Sequence, residues 1–336
     1  MALKFMEEFR PKLFDSLKTY TKAKFMADLM AGIVVAVVVA LPLAIAFAIA
    51  SGVSPEKGLY TAIIAGFIVA FFGGTSVQIA GPTGAFIIII YGIIEQFGIE
   101  GLALATALAG IIQILMGILK LGSIIKFIPH PIVVGFTSGI AITIFSTQIK
   151  DFFGLTTPTL PGDFFAKWSI YIDNFSSIDI WTTVIAVLSI AIIVVTPRVL
   201  KKVPGSLIAI IIMTLATYLL NRFAGIESIG DRFTIGGSLP KIQKIGFNLE
   251  SVGLLFPSAF TLAILGSIET LLSAVVADGM IGRKHNSNME LVALGAANFV
   301  APFFGGLPAT GAVARTMTNI NNGGRTPVAG VIHAIV

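Results

Sequence analysis

Residues 81–85 read Gly-Pro-Thr-Gly-Ala, and residues 307–312 read Leu-Pro-Ala-Thr-Gly-Ala. The two prolines, Pro82 and Pro308, lie 226 residues apart, and each is predicted to open a helix too short to cross a bilayer. Paired interrupted helices are typical of secondary transporters, in which their N-termini meet near the middle of the membrane. A helix N-terminus offers unpaired N–H groups and about half a positive charge. The pair therefore predicts a binding site for an anion.

The composition indicates a protein that crosses a membrane many times. Of its 336 residues, 56% are hydrophobic and 12% are charged, whereas a soluble domain carries about 25% charged residues. The net charge of +5 is spread over short loops and the N-terminal segment, so we expect no nucleic-acid partner. The chain has no cysteine, and its three histidines lack metal-ligand spacing. We therefore expect no metal site, no cofactor and no enzyme activity.

Apolar runs of about 20 residues predict the membrane-spanning helices. We place them at 29–50, 58–73, 101–119, 131–149, 179–196, 204–221, 254–277, 290–304 and from 327 onward, with the two short helices beginning at Pro82 and Pro308.

Loop charges predict how the chain is inserted. With the N-terminus in the cytoplasm, the inside loops 120–130, 197–203 and 278–289 are basic on balance, whereas the outside loops 95–100 and 150–178 are acidic. This pattern follows the rule that cytoplasmic loops carry excess Lys and Arg. We expect an integral protein of the plasma (inner) membrane with a cytoplasmic N-terminus.

The offset of 226 residues also relates other helices. Applied to the first helix at Leu29 it predicts a start at position 255, and an apolar run begins at Leu254. Applied to Gly101 it reaches Pro327, which opens another apolar stretch. Two halves of seven helices would be inverted relative to each other, because seven is odd. By the same offset, we expect the chain to be a fragment that is truncated within helix 11 at Val336 and lacks roughly three helices.

Several further stretches resemble the SulP family of anion permeases, which includes sulfate permease, prestin and pendrin. The matching stretches are 55–60, 76–85, 269–280, 285–288 and 314–325. The resemblance implies an all-α polytopic membrane protein with the 7+7 inverted-repeat fold of uracil permease. It also implies a core domain, a gate domain, and transport by an elevator motion of the core against the gate.

On this fold we expect five segments. Residues 1–28 form a cytoplasmic N-terminal segment, 29–122 the core helices 1–4, 123–223 the gate helices 5–7, 224–253 an extracellular loop, and 254–336 the incomplete core helices 8–11. We expect the remaining gate helices, and the cytoplasmic STAS domain that many members carry, to be missing from the chain.

Glu269 lies well inside the predicted span 254–277, where a carboxylate costs on the order of 3 kcal/mol to insert. It is either a protonated structural residue or the group that binds a coupling ion, H+ or Na+. The resemblance favours coupling, because SulP relatives place an acidic residue here. Ser273 lies one turn further on the same face, where it either supplies a second oxygen ligand or bonds a carbonyl of its own helix.

Arg315 brings a full positive charge close to both predicted helix ends. At 4 Å and an effective dielectric constant of about 20, such a charge attracts a monovalent anion by about 4 kcal/mol. The alternative is a permanent ion pair with Glu269. The two interpretations are compatible if the ion pair between Arg315 and Glu269 forms in the empty site and a bound substrate weakens it.

The remaining candidates for substrate contact have small or hydroxyl side chains that expose backbone N–H groups, with close helix packing as the alternative. They are Thr83, Gly84, Ala85, Thr310, Gly311 and Ala312. The resemblance adds Phe47, which matches a family stretch that walls the pocket, although a core position is the alternative.

These observations favour a secondary active transporter of a small inorganic or carboxylate anion, such as sulfate, bicarbonate or a dicarboxylate, coupled to protons or working by exchange. The alternatives are a passive anion channel, a sodium-coupled bicarbonate symporter and a nucleobase permease. Val313 and Arg315 depart from the sodium–bicarbonate members, which have a hydroxyl residue and no arginine at these positions. Family resemblance further implies a homodimer within the lipid bilayer.

Overall fold

A computed structural model gives the fold of the chain. It describes residues 9–123, 130–158, 160–161, 163–199, 205–224, 226, 228–233, 239–246 and 249–336. Parts of the inside loops 120–130 and 197–203, on which the predicted orientation depends, lie outside these residues. The chain divides into two compact units, one formed by Met1–Ile128 with Gly237–Val336 and the other by Pro129–Gly236.

The described part of the chain is mostly helical. The first unit begins with α1 (Lys12–Leu17), α2 (Lys22–Val34), a π-helical segment (Val35–Ala40), α3 (Leu41–Ala50), α4 (Pro55–Phe72), β1 (Ala80–Pro82), a 3₁₀ turn (Gly84–Phe86) and α5 (Ile87–Ile118). The second unit contains α6 (His130–Phe153), α7 (Phe164–Asp173), a 3₁₀ turn (Phe175–Ser177), α8 (Ile180–Val199), α9 (Gly205–Ala224) and α10 (Ile229–Arg232). The first unit resumes with α11 (Leu249–Ile281), α12 (Ser287–Val300), a 3₁₀ turn (Ala301–Phe304), β2 (Ala309–Gly311), α13 (Val313–Asn321) and α14 (Pro327–Ile335).

Five of the described helical segments are long and apolar enough to cross a membrane. They are Lys22–Ala50, Pro55–Phe72, Gly84–Ile118, Ile180–Val199 and Glu250–Ile281. A helix suits this environment because it satisfies its backbone hydrogen bonds internally, where no water is present. The predicted polytopic all-α class is confirmed.

Helix α5 contains the predicted break between two crossing segments. Gly98 has φ 67° and ψ −172°, so the helical path ends there and a new helix begins. A residue with a β-carbon adopts such a conformation only at a cost, whereas glycine does so readily. The short helix predicted to begin at Pro82 and the helix predicted at 101–119 are therefore joined directly through this glycine. The predicted outside loop 95–100 is helical except at Gly98.

The two interrupted helices do not begin at their prolines, and this corrects the sequence prediction. Pro82 is the last residue of β1, and helical turns begin only at Gly84. Pro308 precedes β2, and α13 begins at Val313. The reason is that buried extended residues need partners for their backbone N–H and C=O groups. They obtain these partners by pairing with each other before either helix starts.

Strands β1 and β2 pair in the antiparallel sense. Gly81 lies opposite Thr310, and Pro82 lies opposite Ala309. Each strand leads into one interrupted helix, so the pairing brings the starts of both helices to one place inside the first unit. The predicted meeting of the two interrupted helices is confirmed.

Glycines let α5 and α12 pack closely beside this sheet. A β-carbon on Gly110 would lie 2.6 Å from the carbonyl oxygen of Gly295, and one on Gly295 would lie 2.5 Å from that of Gly110. Both distances are too short for real atoms, so any side chain would push the helices apart. This close approach places Gln113 of α5 within hydrogen-bonding distance of Asn298 of α12, at 2.8 Å.

The second unit contains a helix that the sequence analysis did not predict. Helix α7 falls in the predicted outside loop, and Asp163 caps it by accepting a hydrogen bond from the Ala166 N–H at 2.8 Å. Tyr171 is buried whereas Phe165 is 80% exposed, so the helix is amphipathic. It was not predicted because it has only 10 residues, which is too short for a membrane span.

The assignment of residues to a core and a gate domain stays a prediction.

Candidate anion site

Glu269 of α11 links the two interrupted helices. Its Oε1 accepts a hydrogen bond from the hydroxyl of Thr83 at 2.7 Å, and its Oε2 accepts one from the hydroxyl of Thr310 at 3.1 Å. Thr83 stands immediately before the first interrupted helix, and Thr310 is the middle residue of β2. One carboxylate therefore takes donors from both repeats, at the place where the sequence predicts a bound anion.

Thr83 is held by two hydrogen bonds of opposite sense. Its backbone is extended, and its Oγ1 accepts from the N–H of Ala85 at 3.3 Å, as is typical of a threonine at a helix N-cap. Its hydroxyl proton goes to Glu269. The threonine thus connects the first helical turn to the carboxylate, and the second bond requires an acceptor at Glu269.

Arg315 is buried completely on α13, with 0% of its surface exposed. Its Nη2 donates to the carbonyl oxygen of Pro82 at 3.0 Å, so an arginine of the second repeat holds the strand of the first. Within the described residues, its Nε and Nη1 have no hydrogen-bond partner. Leaving buried charged donors unpaired costs free energy. These two nitrogens are therefore well suited to receive an anion.

Two strand glycines lie directly beneath long polar side chains. A β-carbon on Gly81 would lie 1.9 Å from Nη1 of Arg315. In the other strand, a β-carbon on Gly311 would lie 1.6 Å from Nε2 of Gln78. Each glycine thus makes room for a polar side chain that belongs to the opposite repeat.

Glu269 and Arg315 interact electrostatically, but their hydrogen bonds go to different groups. The attraction acts on both residues. The described hydrogen bonds of the carboxylate come from threonines, and that of the guanidinium goes to a backbone carbonyl. This arrangement keeps the local charge balanced while leaving part of the guanidinium available.

Some backbone amides near the interrupted helices are already used, which corrects the prediction that they are free. The N–H of Gly311 donates to the hydroxyl oxygen of Thr270 at 2.9 Å, and the N–H of Ala312 donates to the carbonyl of Ile79 at 3.0 Å. The extended strands consume these donors before the helix begins. Substrate contact stays a prediction for Thr83, Gly84, Ala85, Thr310, Gly311, Ala312 and Arg315.

Ser273 and Phe47 lie in different surroundings. Ser273 is buried, and its hydroxyl donates to Oγ1 of Thr316 at 3.4 Å. That oxygen accepts the N–H of Ile79 at 3.1 Å, so Ser273 supports the chain that leads into β1. Phe47 lies on α3 and is partly exposed. A coupling role for Ser273 and a wall role for Phe47 stay predictions.

The sequence analysis missed the polar side chains that hold the two strands. Gln78, for example, donates to the carbonyl of Thr270 at 3.2 Å, and Asn319 donates to that of Val77 at 2.8 Å. For Gln113, Asn298 and Asn319 the available signal was an amide side chain in a helix, because a buried amide needs partners. Gln78 lies in the non-helical segment before β1. The missed residues are Gln78, Gln113, Thr270, Asn298, Thr316 and Asn319.

The chemistry of the site rests on hydroxyl, carboxylate and guanidinium groups. In the part of the chain that the structure describes, no group of three or more His, Asp or Glu side chains is placed to hold a metal ion. The hydroxyl and guanidinium groups suit an anion, and the carboxylate suits a proton or a small cation.

The chain matches the family described as the Sulfate permease family over residues 25–336. It belongs to this family. The putative sulfate transporter YvdB of Bacillus subtilis is 47% identical over 288 residues, which cover 85% of this chain and 54% of that protein. The bicarbonate transporter BicA of Picosynechococcus is 34% identical over 298 residues, which cover 85% of this chain and 52% of that protein. The chain thus spans about half the length of these curated relatives.

Solved structures of the sulfate permease fold agree with this assignment. The transmembrane domain of a cyanobacterial bicarbonate transporter BicA superposes with a TM-score of 0.83 at 33% identity, covering 94% of this chain and 82% of that one. A murine Solute Carrier 26 family anion transporter in the inward-facing state gives a TM-score of 0.86 at 19% identity, covering 99% and 59%, and supports the fold alone. The 7+7 inverted-repeat class is confirmed. Members of the family are transporters rather than enzymes, as predicted.

Proposed function

We propose that the protein is a secondary active transporter of small anions of the sulfate, bicarbonate or dicarboxylate class. One observation carries this proposal. Glu269 takes the hydroxyl donors of both repeats, while the buried Arg315 beside them keeps two nitrogens that have no hydrogen-bond partner among the residues that the structure describes. The relatives described as sulfate and bicarbonate transporters support the substrate class.

The ionised Glu269 carboxylate and an entering anion compete for the same donors. Thr83 and Thr310 each have a single hydroxyl proton, and both protons point to Glu269. When Glu269 binds a proton it loses its charge and becomes a weaker acceptor. The two hydroxyl groups then turn to the anion. Anion and proton therefore bind together, and this links anion uptake to the proton gradient.

Arg315 supplies the charge that compensates the anion. While Glu269 is ionised, its negative charge offsets that of the guanidinium, and the empty site is close to neutral. Once Glu269 is protonated, the guanidinium attracts a monovalent anion by about 4 kcal/mol at 4 Å and an effective dielectric constant of about 20. With a monovalent anion such as bicarbonate the site is neutral both empty and loaded, and a neutral site crosses the membrane at a lower cost than a charged one. A divalent anion such as sulfate leaves the loaded site with one negative charge.

The wider arrangement follows the family fold. We infer an elevator motion in which the core carries the site across the membrane against the gate, and a homodimer in the lipid bilayer. The loop charges favour an orientation with the N-terminus in the cytoplasm, and we infer that the membrane is the plasma (inner) membrane. Exchange of one anion for another is the alternative mode. The site then returns across the membrane with a second anion bound to Thr83 and Thr310, in the place that the ionised Glu269 carboxylate takes in the empty site.

A sodium-coupled bicarbonate symporter is the second candidate. The similarity to BicA, which is described as a bicarbonate transporter, favours its substrate. The oxygens of Glu269, Thr83 and Thr310 are suitable ligands for a small cation. The charge of Arg315 opposes this, since it repels a cation at the same place. A proton, bound covalently to the carboxylate, is less affected.

The deciding experiment is uptake into proteoliposomes that contain the intact protein. Radiolabelled sulfate, bicarbonate and succinate are supplied at acidic and neutral outside pH, with and without sodium. We expect an inward proton gradient to drive accumulation by the wild type. Glu269→Gln resembles the protonated side chain and is expected to keep anion exchange but lose accumulation against a gradient.

Glu100→Gln is the matched control, because Glu100 is an exposed glutamate on α5. It is expected to behave as the wild type. Undiminished accumulation by Glu269→Gln would contradict the coupling role. Uptake that requires sodium and ignores the proton gradient would favour the second candidate, and uptake without any accumulation would favour a channel.

A further inference from the structure

The side-chain amide of Asn298 on α12 bonds the backbone of β2 in the way that a neighbouring strand would. Its Oδ1 accepts from the N–H of Ala309 at 2.7 Å, and its Nδ2 donates to the carbonyl of the same residue at 3.0 Å. One side chain therefore satisfies both backbone groups of the residue next to Thr310. Asn298 is 1% exposed, so water does not compete for these bonds.

Gln113 of α5 fixes the orientation of the Asn298 amide. Its Oε1 accepts from Nδ2 of Asn298 at 2.8 Å, and its Nε2 donates to the carbonyl of Ala263 at 3.2 Å. A backbone carbonyl can only accept, so Nε2 of Gln113 has to face Ala263 and Oε1 has to face Asn298. The N–H and C=O groups of Ala309 require the same orientation of the Asn298 amide from the other side, so the hydrogen bonds of both side chains agree in direction.

The hydrogen bonds form a closed circuit that starts and ends on α11. From Ala263 the circuit runs through Gln113 and Asn298 to β2. From β2 it returns to α11 when Thr310 donates to Glu269 at 3.1 Å. The distance between Thr310 and Glu269 is therefore determined by α5 and α12 as well as by α11 and β2.

Gly266 lies on α11 between the two ends of the circuit. A β-carbon there would lie 3.0 Å from Nε2 of Gln113 and 3.5 Å from Cγ2 of Thr310. The missing side chain lets both residues reach the surface of the helix. The two ends of the circuit are thus in close proximity, so a displacement at Asn298 is transmitted over a short path.

We propose that Asn298 is a positioning residue for the anion site. It acts by fixing β2, and through β2 it sets where the hydroxyl of Thr310 lies relative to Glu269 and to a bound anion. This inference rests on the proposed function. Binding sites need their polar groups held within about 0.5 Å of the productive geometry. Loss of the Asn298 bonds releases β2 from α12 and removes that precision.

Two substitutions test the circuit at different points. Asn298→Asp keeps the shape and one acceptor for the Ala309 N–H, but an ionised carboxylate has no donor for Ala309 or Gln113. Gln113→Met keeps the length of the side chain and removes both the outer partner of Asn298 and the donor to the Ala263 carbonyl, while the bonds between Asn298 and Ala309 stay available. The matched control is Asn322→Asp, at the end of α13, where Asn322 is exposed and bonds the carbonyl of Thr318 within the helix.

The first measurement is saturation of sulfate uptake by the intact protein in proteoliposomes, or of bicarbonate uptake if that is the anion carried. We expect Asn298→Asp to raise the half-saturating concentration by about tenfold and Gln113→Met by a smaller factor. Since Gln113 acts through Asn298, the double variant is expected to shift no more than Asn298→Asp alone. Asn322→Asp is expected to match the wild type. An unchanged half-saturating concentration in folded Asn298→Asp, or full additivity, would overturn the proposal.

A second measurement needs no transport and keeps the two proposals distinguishable. The infrared carboxylate band of Glu269 is assigned in purified protein by its loss in Glu269→Gln. We expect this band to shift in Gln113→Met, which adds no carboxyl group, because the bond from Thr310 weakens. A shifted band in a protein that carries none of the anions would support positioning and reject the transport function. An unshifted band overturns the proposal, even if Asn298→Asp does not fold.

Discussion

One glycine determines whether the buried arginine can occupy its place beside the anion site. A β-carbon on Gly81 would lie 1.9 Å from Nη1 of Arg315, so Gly81→Ala forces the guanidinium to move. We expect the half-saturating anion concentration to rise by about tenfold, as in Arg315→Ala. Membrane insertion is expected to be normal, because alanine is apolar and small. Saturation of anion uptake measures the effect.

Gly92→Ala is the control for this change. Apart from its chain neighbours and the backbone of its own helix, no heavy atom of the described residues lies within 4 Å of a β-carbon at Gly92, and alanine favours the helix in which it stands. Its anion affinity is expected to equal that of the wild type. If Gly81→Ala also retained full affinity while Arg315→Ala lost it, the guanidinium could reach the anion from another position, and the role of Gly81 would be refuted.

Among the residues of the site, those with charged side chains were the easiest to predict from the sequence. Glu269 and Arg315 stand out because an ionised group in an apolar segment is costly and needs a reason. Thr83 and Thr310 followed from the paired motif, and the structure places both beside Glu269. Asn298 did not follow, because its partner Gln113 lies 185 residues away in the sequence, and because only the folded chain places Ala309, 11 residues further on, against its side chain.

Among the helices, a buried carboxylate ties α2 to α14. Asp28 accepts hydrogen bonds from the N–H groups of Arg325 at 2.9 Å and Thr326 at 3.2 Å, and from the hydroxyl groups of Thr326 at 2.5 Å and Tyr20 at 3.0 Å. Only acceptors suit this cluster of donors. In Asp28→Asn an amide nitrogen would face donors, so we expect the free energy of unfolding to fall by on the order of 2 kcal/mol.

Thermal unfolding in detergent measures this loss. Asp15→Asn is the control, because Asp15 is exposed and pairs with Arg10 at the surface, where an ion pair contributes little. We expect Asp15→Asn to have the same unfolding midpoint temperature as the wild type, and Asp28→Asn to have a lower one. Equal midpoints for all three proteins would show that Asp28 does not stabilise the junction of α2 and α14.

The positions of the membrane-spanning helices were predictable, because the thickness of the bilayer sets the length of their apolar runs. A span of about 20 apolar residues is recognisable without tertiary information, and α4, α8 and α9 lie where the sequence places them. The starts of the interrupted helices were not predictable in this way. Strands β1 and β2 each have three residues and exist because they pair across a separation of more than two hundred residues. No local pattern encodes such a partner.

For the whole molecule, the charges of the loops predict the orientation of the chain in the membrane. This orientation can be tested without measuring transport. The positive-inside rule predicts that Glu100 faces outward and that Lys284 faces the cytoplasm. Both residues are exposed at the surface of the described chain. The chain has no cysteine, so a single introduced cysteine reports its own position without background from this segment.

We expect a membrane-impermeant maleimide to label Glu100→Cys in intact cells. It is expected to label Lys284→Cys only after the membrane is permeabilised, because the 32-residue apolar span Glu250–Ile281 delivers that loop to the opposite side. The reverse pattern would invert the whole molecule and place the N-terminus outside. Labelling of both residues in intact cells would place them on one side and refute the inverted relation of the two repeats, since that relation requires an odd number of crossings in each half.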